Sequence, residues 1–480
     1  MAEGEAGGRR RASAPGLPWP VLRGGALLLG RQLAGAVVAF FGMLALARLL
    51  GPAQNGLYFT AFGIVFFVQN VARLGLDVFL VRAPEPVGKP LFDQVFLLLC
   101  TLGLVTGALL AAAGPLIAAA LRMPDLQTPL VAMAATIPVM HLARVPVAKL
   151  ERELAFGRIG AAELAAQALF FATAIPAALA GAGPFAPVLG WWAQQTALLA
   201  AGFALARYRP GLPRDLALAR EALAHGSLVT AAILVQSLRS LIVPVVVGGT
   251  LGPAAVGIVA LSTRLIDTLS MARTVIARIA VPLLGRLAAD RPRLLATLGV
   301  GIEVQTAAVA LPVLAFALTA GRLVPLLFGP GWGEAARVAV LLAPSAIVAA
   351  VFSLHLQLLA TEPRPLGLVL AQAAAAALAW PAAALAVPRL GLEGYAAAEA
   401  VAALAWIVPA HIVRRRLGPA RYGTAIVWGA AASLAALAPL AGWWLLTPLP
   451  ALALLPRTRA VLRILSGSAP GSSGGRAATG

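Results

Sequence analysis

One pattern repeats along this chain: an apolar run of about twenty residues, then a short polar or Gly/Pro break. Such runs fall near 27–48, 56–75, 94–115, 128–148, 160–181, 186–206, 225–247, 254–272, 294–317, 336–356, 366–387 and 393–412. About twenty apolar residues is the length an α-helix needs to cross the hydrocarbon of a bilayer. In lipid only helices and closed barrels satisfy their own backbone groups. The twelve runs therefore predict an all-α polytopic membrane protein. Composition agrees: 60% of the residues are hydrophobic and 11% charged, with mean hydropathy +0.90, where a soluble domain is about a quarter charged. A further stretch at 424–446 and a Pro-broken one at 448–456 predict one or two extra membrane segments.

The formal charge of +19 does not indicate nucleic acid, because the basic residues recur between apolar runs rather than on one face of a domain. One set of loops carries Arg9, Arg10, Arg11 and Arg23, then Arg82 and Lys89, then Lys149, Arg152 and Arg158, then Arg207, Arg209, Arg214 and Arg220. It continues with Arg278, Arg286, Arg291 and Arg293, and with Arg414, Arg415, Arg416 and Arg421. The alternate loops hold only scattered charges such as Arg48, Arg122, Arg322 and Arg389. The positive-inside rule places the rich loops and the N-terminus in the cytoplasm, in a bacterial inner membrane. The single cysteine, Cys100, excludes an internal disulfide and a cysteine metal cluster. No metal or other cofactor is expected. The Gly/Ser-rich end, 466–480, reads as disordered.

The chain also repeats at a coarser scale. "LGPAQNG" (50–56) and "LGPAAVG" (251–257) each join the first two runs of a six-run set, and their glycines are 252 − 51 = 201 residues apart. "LRMPDL" (121–126) and "LFGPGW" (327–332) join the third and fourth runs, with prolines 330 − 124 = 206 apart. The matched positions read as a duplication into two pseudo-symmetric six-helix lobes of like orientation, with the substrate site between them. The expected boundaries are a cytoplasmic tail (1–24), an N-terminal lobe (25–222), a C-terminal lobe (223–413), extra membrane segments (414–465) and the disordered tail.

Charge inside a membrane helix costs roughly 2.5–3.5 kcal/mol even on the lenient insertion scale, so each case calls for a reason. Arg239 lies deep in its run, with Gln236 on the same face. Arg264 and Asp267 are spaced i, i+3, which suits a structural ion pair or a cavity arginine held by its carboxylate. Arg31 lies near the cytoplasmic end of the first run, where it either snorkels or lines a cavity. Gln69 and Asn70 suit interhelical hydrogen bonding or cavity support. Glu303 and Glu399 are membrane carboxylates that could couple transport to a cation or pair with arginine. His141, His355 and His411 lie near run ends and read as ordinary structural histidines. Arginine dominates the first, seventh and eighth runs, and a cavity of that sign suits phosphate or diphosphate.

"LARLLGPAQNGLY" (46–58), "RLGLDVFLVRAPE" (73–85), "RVPVAKLERELAFGRI" (144–159), "LFGPGWGEAARVAVLLAPS" (327–345) and "LGLEGYAAAEA" (390–400) occur in an order that resembles the Wzx-type polysaccharide flippases. These belong to the multidrug/oligosaccharidyl-lipid/polysaccharide exporter superfamily. The resemblance implies two six-helix lobes around a central cavity. It also implies transport of an undecaprenyl-diphosphate-linked oligosaccharide from the cytoplasmic to the periplasmic leaflet for surface or exopolysaccharide synthesis. Arg31, Arg239 and Arg264 would hold the diphosphate, with Gln69, Asn70, Gln236 and Asp267 in support. A polysaccharide polymerase and glycosyltransferases would be its partners, alongside membrane lipids. A cation-coupled multidrug antiporter of the same fold is the alternative. No loop is large enough for a catalytic domain, so an enzyme is not expected.

Overall fold

A computed structural model describes residues 19–83, 88–211, 218–220, 222–223, 234–235, 237–287, 290–360, 366–419, 422, 424–453 and 458, with the side chains of 19–34, 279, 281–282 and 451–453 outside that set. Among the described residues every regular element is helical. Eight helices among the described residues are long and apolar enough to cross a membrane, or nine when one bent pair is taken as a single span. Their outer faces stay apolar, as lipid requires: Leu104, Leu109 and Leu116 of the Lys89–Ala120 helix are all exposed.

The first two apolar runs form one hydrogen-bonded stretch, Trp19–Ala72, broken at Gly51 (φ 67°, ψ 179°). Gly252, the repeat counterpart, has nearly the same geometry (φ 84°, ψ −178°). Only glycine adopts this region without strain, and the proline that follows each is preset for the first turn of the next helix. In the first copy Asn55 donates to the Gly51 carbonyl at 2.8 Å, satisfying a group the break would orphan.

In the first lobe Lys89–Ala120 packs on Ile137–Arg152, and Phe156–Leu179 on Phe185–Ala206. In the second, Arg291–Phe328 packs on Gly333–Ala360, and Leu366–Leu390 on Leu392–Ala402. Each lobe has a satellite core at the end away from the glycine breaks. Phe92, Val95, Leu99, Val145 and Ala148 are buried in one; Leu294, Leu298, Ile302, Val351 and Leu354 in the other. These pair at 294 − 92 = 202, 298 − 95 = 203, 302 − 99 = 203, 351 − 145 = 206 and 354 − 148 = 206 residues. The offsets match those of the turn strings, so the two halves bury equivalent positions.

The lobes meet at the end that carries the glycine breaks, and the repeated strings form the joint. A Cβ on Gly56 would collide with the Pro253 carbonyl, and one on Gly257 with the Pro52 carbonyl. Small residues let the backbones approach this closely. The 3–4 connection of each lobe then covers the 1–2 turn of the other. Trp332 donates its indole N–H to the Ala47 carbonyl at 3.1 Å, and Arg48 donates to the Leu326 carbonyl at 2.6 Å. Reciprocally, a Cβ on Gly248 would lie 3.1 Å from the Met123 Cε.

Two expected spans differ in detail. The 254–272 run is the Pro253–Leu269 helix, which bends by 45° into Ala272–Arg286. The 424–446 run forms only the 12-residue helix Ala425–Ala436 before breaking into short turns. At 1.5 Å per residue that helix reaches about 18 Å, short of a full span. Pro448–Ala453 is a single short turn of helix. Tail residues 1–18 and 466–480 lie outside the described residues.

Candidate functional site

Beneath the joint lies a cavity of about 650 Å³. Among the described residues its polar wall comes from the second lobe: Arg239, Ser240, Thr263, Arg264, Asp267, Arg273, Ser345, Gln372, Tyr395 and Glu399. The first lobe contributes Phe59, Phe62 and Gly63. Arg264 lies twelve positions after Gly252, which puts it roughly 18 Å below the joint at 1.5 Å per residue.

Arg239 opens a 3-10 turn (Arg239–Leu241) that passes into a π turn (Ile242–Val247) containing Pro244. Pro244 lacks the N–H that a regular helix uses, and π turns recur at functional sites. The Arg239 guanidinium is bonded to the Glu399 carboxylate, with side chains 40% and 14% exposed respectively. Tyr395, one helical turn before Glu399, sets its phenol beside that carboxylate.

Arg264 is exposed to the cavity and forms no ion pair among the described residues. Asp267 is not its partner: it pairs with Arg273 at 3.8 Å. The reason is the bend after Leu269, which swings the next helix back so that Arg273 faces Asp267 across the break. The cavity therefore holds three arginines and two carboxylates, a surplus of one positive charge. Ser345 also lines it, with its hydroxyl oxygen itself buried and without a hydrogen-bond partner.

Three expected site residues lie elsewhere. The Gln69 carbonyl is bonded to the His141 imidazole at 3.2 Å, inside the first lobe. Asn70 donates to the Phe66 carbonyl at 2.8 Å and accepts from Arg73, which also holds Asp77 at 2.7 Å. Both residues are buried at the end of the second span and neither lines the cavity; only the Asn70 side chain is hydrogen-bonded there, and the Gln69 side-chain oxygen is buried without a partner. Glu303 accepts the Thr424 N–H at 3.0 Å and so caps the Ala425–Ala436 helix. A carboxylate at a helix N-terminus is stabilising, which accounts for an acid at this depth. Arg31 lies on the Trp19–Ala72 helix, with its side chain outside the described residues, and Gln236 lies outside them altogether.

Arg273, Tyr395 and Gln372 were not singled out by sequence. Arg273 follows a run's end and reads there as a loop charge; only the 45° bend brings it to the cavity. His141 and His355 are fully buried structural residues. His355 is bonded to the Phe352 carbonyl and to the Tyr422 hydroxyl, at 3.2 and 3.3 Å.

A two-lobed helical bundle with apolar spans and a polar cavity below an interlobe joint defines a multi-span membrane protein. The chain belongs to the family described as "Polysaccharide biosynthesis protein", whose sequence profile matches residues 45–337. Four of the five strings that carried the resemblance lie within that range or end just beyond it. Comparison with curated proteins by sequence returned no match. Among solved structures, the lipid II flippase MurJ in an inward closed conformation is similar, with TM-score 0.71 and 12% identity over 92% of this chain and 98% of that one. An inward-facing multidrug resistance MATE family transporter of the MOP superfamily is also similar, with TM-score 0.58 and 17% identity over 78% of this chain and 94% of that one. At these identities the likeness is one of fold.

Proposed function

We propose that this protein moves an undecaprenyl-diphosphate-linked oligosaccharide from the cytoplasmic to the periplasmic leaflet of a bacterial inner membrane, by alternating access. The observation that carries the reading is Arg264, a cavity arginine without an ion-pair partner among the described residues. Guanidinium binds phosphate oxygens in bidentate fashion. The family supports a role in polysaccharide biosynthesis, and the resemblance to MurJ in fold supports a flippase cycle. Under the positive-inside rule the arginine-rich loops face the cytoplasm, so the joint at Gly56 and Gly257 is the periplasmic gate. The diphosphate sits at Arg264, the sugars occupy the cavity, and the polyprenyl chain stays in lipid. The lobes then rock to part the joint.

The test is Arg264→Ala in a strain whose polysaccharide export depends on this gene. Export falls by at least tenfold while the membrane level of the protein is unchanged, and lipid-linked oligosaccharide accumulates. Normal export in that variant would defeat the assignment. A cation-coupled multidrug antiporter has one observation in its favour, the two cavity carboxylates Asp267 and Glu399. It predicts instead that deletion raises drug sensitivity and leaves export intact.

A further inference from the structure

Arg239 is an anion ligand already occupied. Its guanidinium and the Glu399 carboxylate face the same cavity, and they are bonded to one another. Glu399 is the more buried member, with 14% of its side chain exposed. A carboxylate at that depth is tolerated because it is paired; unpaired, it is costly, and the cheap relief is to bind a proton. Its other neighbours increase that cost. Asp267, on the Pro253–Leu269 helix, repels Glu399, and is itself engaged by Arg273. Tyr395 on its own helix offers a neutral phenol. Gln372, Ser345 and the aromatic wall of Phe59 and Phe62 bring no charge, and Arg264 is the remaining cation.

We propose that Glu399 is a resident competitor for the transported anion: the incoming diphosphate takes the Arg239 guanidinium, and the released Glu399 carboxylate binds a proton from cavity water. This rests on the cavity being the anion site. The exchange is balanced. The charge-assisted hydrogen bonds of guanidinium to carboxylate are replaced by those of guanidinium to phosphate, and one O–H bond forms on Glu399 from a solvent proton. When the anion leaves, Arg239 recaptures the carboxylate and the proton returns to water. The loaded cavity thus carries one proton more than the empty one, and less net negative charge passes through the low-dielectric interior. The pairing also keeps adventitious anions off Arg239, since any ligand has to outcompete a carboxylate already in place.

The test is inorganic pyrophosphate binding to the purified full chain in detergent, followed by calorimetry at about pH 8 and about pH 5.5. Glu399→Gln is expected to bind about tenfold more tightly than wild type at the higher pH, the equivalent of one pKa unit of competition. The gap should narrow at the lower pH, because a proton on Glu399 removes the competitor. Pyrophosphate's own titration is common to both proteins and cancels in the comparison. Arg239→Gln/Glu399→Gln leaves no charge unpaired and guards against misfolding; it is expected to bind as weakly as Arg239→Gln alone. If the double variant binds as tightly as Glu399→Gln, Glu399 is not acting through Arg239 and the proposal is overturned. It is equally overturned if wild type binds in an Arg264-dependent way but Glu399→Gln shows the same affinity and pH dependence; the anion reading of the cavity then stands. If wild type and all variants fail to bind pyrophosphate, the anion reading itself falls.

Discussion

Gly56 and Gly257 make reciprocal contacts: each α-carbon rests against the carbonyl of the proline that opens the other's helix, Gly56 on Pro253 and Gly257 on Pro52. The joint between the lobes is therefore backbone on backbone, and it is written twice. A methyl group at either glycine has no room. Overpacking of this kind costs about 1–3 kcal/mol, all of it charged to the closed joint. Gly56→Ala and Gly257→Ala should each shift the protein toward the state open at that end. With Cys100 replaced and a reporter cysteine placed at Ala47 or Ala255, both buried in the closed structure, thiol labelling should rise several-fold. Unchanged labelling in both variants would show that the contact does not govern closure.

The Trp332 indole reaches across the lobes to the Ala47 carbonyl, and it is 2% exposed. Trp332→Phe keeps the ring and removes the donor, leaving the carbonyl without that bond. The expected loss is about 1–3 kcal/mol from the closed state, seen as a lower unfolding temperature in detergent. Arg48→Ala, which removes an exposed bond to Leu326, should cost less. Equal effects would mean that burial is not what gives the Trp332 bond its weight.

Asp77→Asn leaves Arg73, 9% exposed, without its carboxylate. Breaking a buried pair from one side costs about 3–5 kcal/mol. The folded protein recovered from membranes should fall sharply, while flipping per folded molecule stays near wild type. A variant with normal abundance and lost transport would place Arg73 in the mechanism instead.

Glu303→Gln weakens the cap on Thr424 and the favourable interaction with the Ala425–Ala436 helix. Stability should drop by about 0.5–2 kcal/mol, with export retained in a complementation assay. Abolished export at normal protein level would return Glu303 to the list of coupling carboxylates.

Much of the architecture was legible because lipid removes alternatives. Apolar runs of spanning length can only be helices, and the two turn strings located both halves and, as it proved, the surfaces by which the halves meet. Arg239, Arg264, Asp267 and Glu399 stood out in the sequence because charge in a membrane needs a reason, and all four line the cavity. Their partners were not. Arg264 and Asp267 share a helix face at i, i+3, yet the bend at Ser270 and Met271 delivers Arg273 to Asp267. Gln69 and Asn70 show the converse limit. A polar residue in mid-span announces a hydrogen bond, but which side of the helix meets its own lobe is set by packing with Ile137–Arg152.

The cavity's chemistry is one-sided. Arg264 occupies in the second lobe the repeat position that Gly63 occupies in the first, 264 − 63 = 201. Among the described residues the first lobe offers only Phe59, Phe62 and Gly63 to the cavity. Among those described residues the second half gives the cavity its charges and the first an apolar face. An anion held by those charges alone would not be a strap across both halves, and the halves could part without tearing it from its ligands.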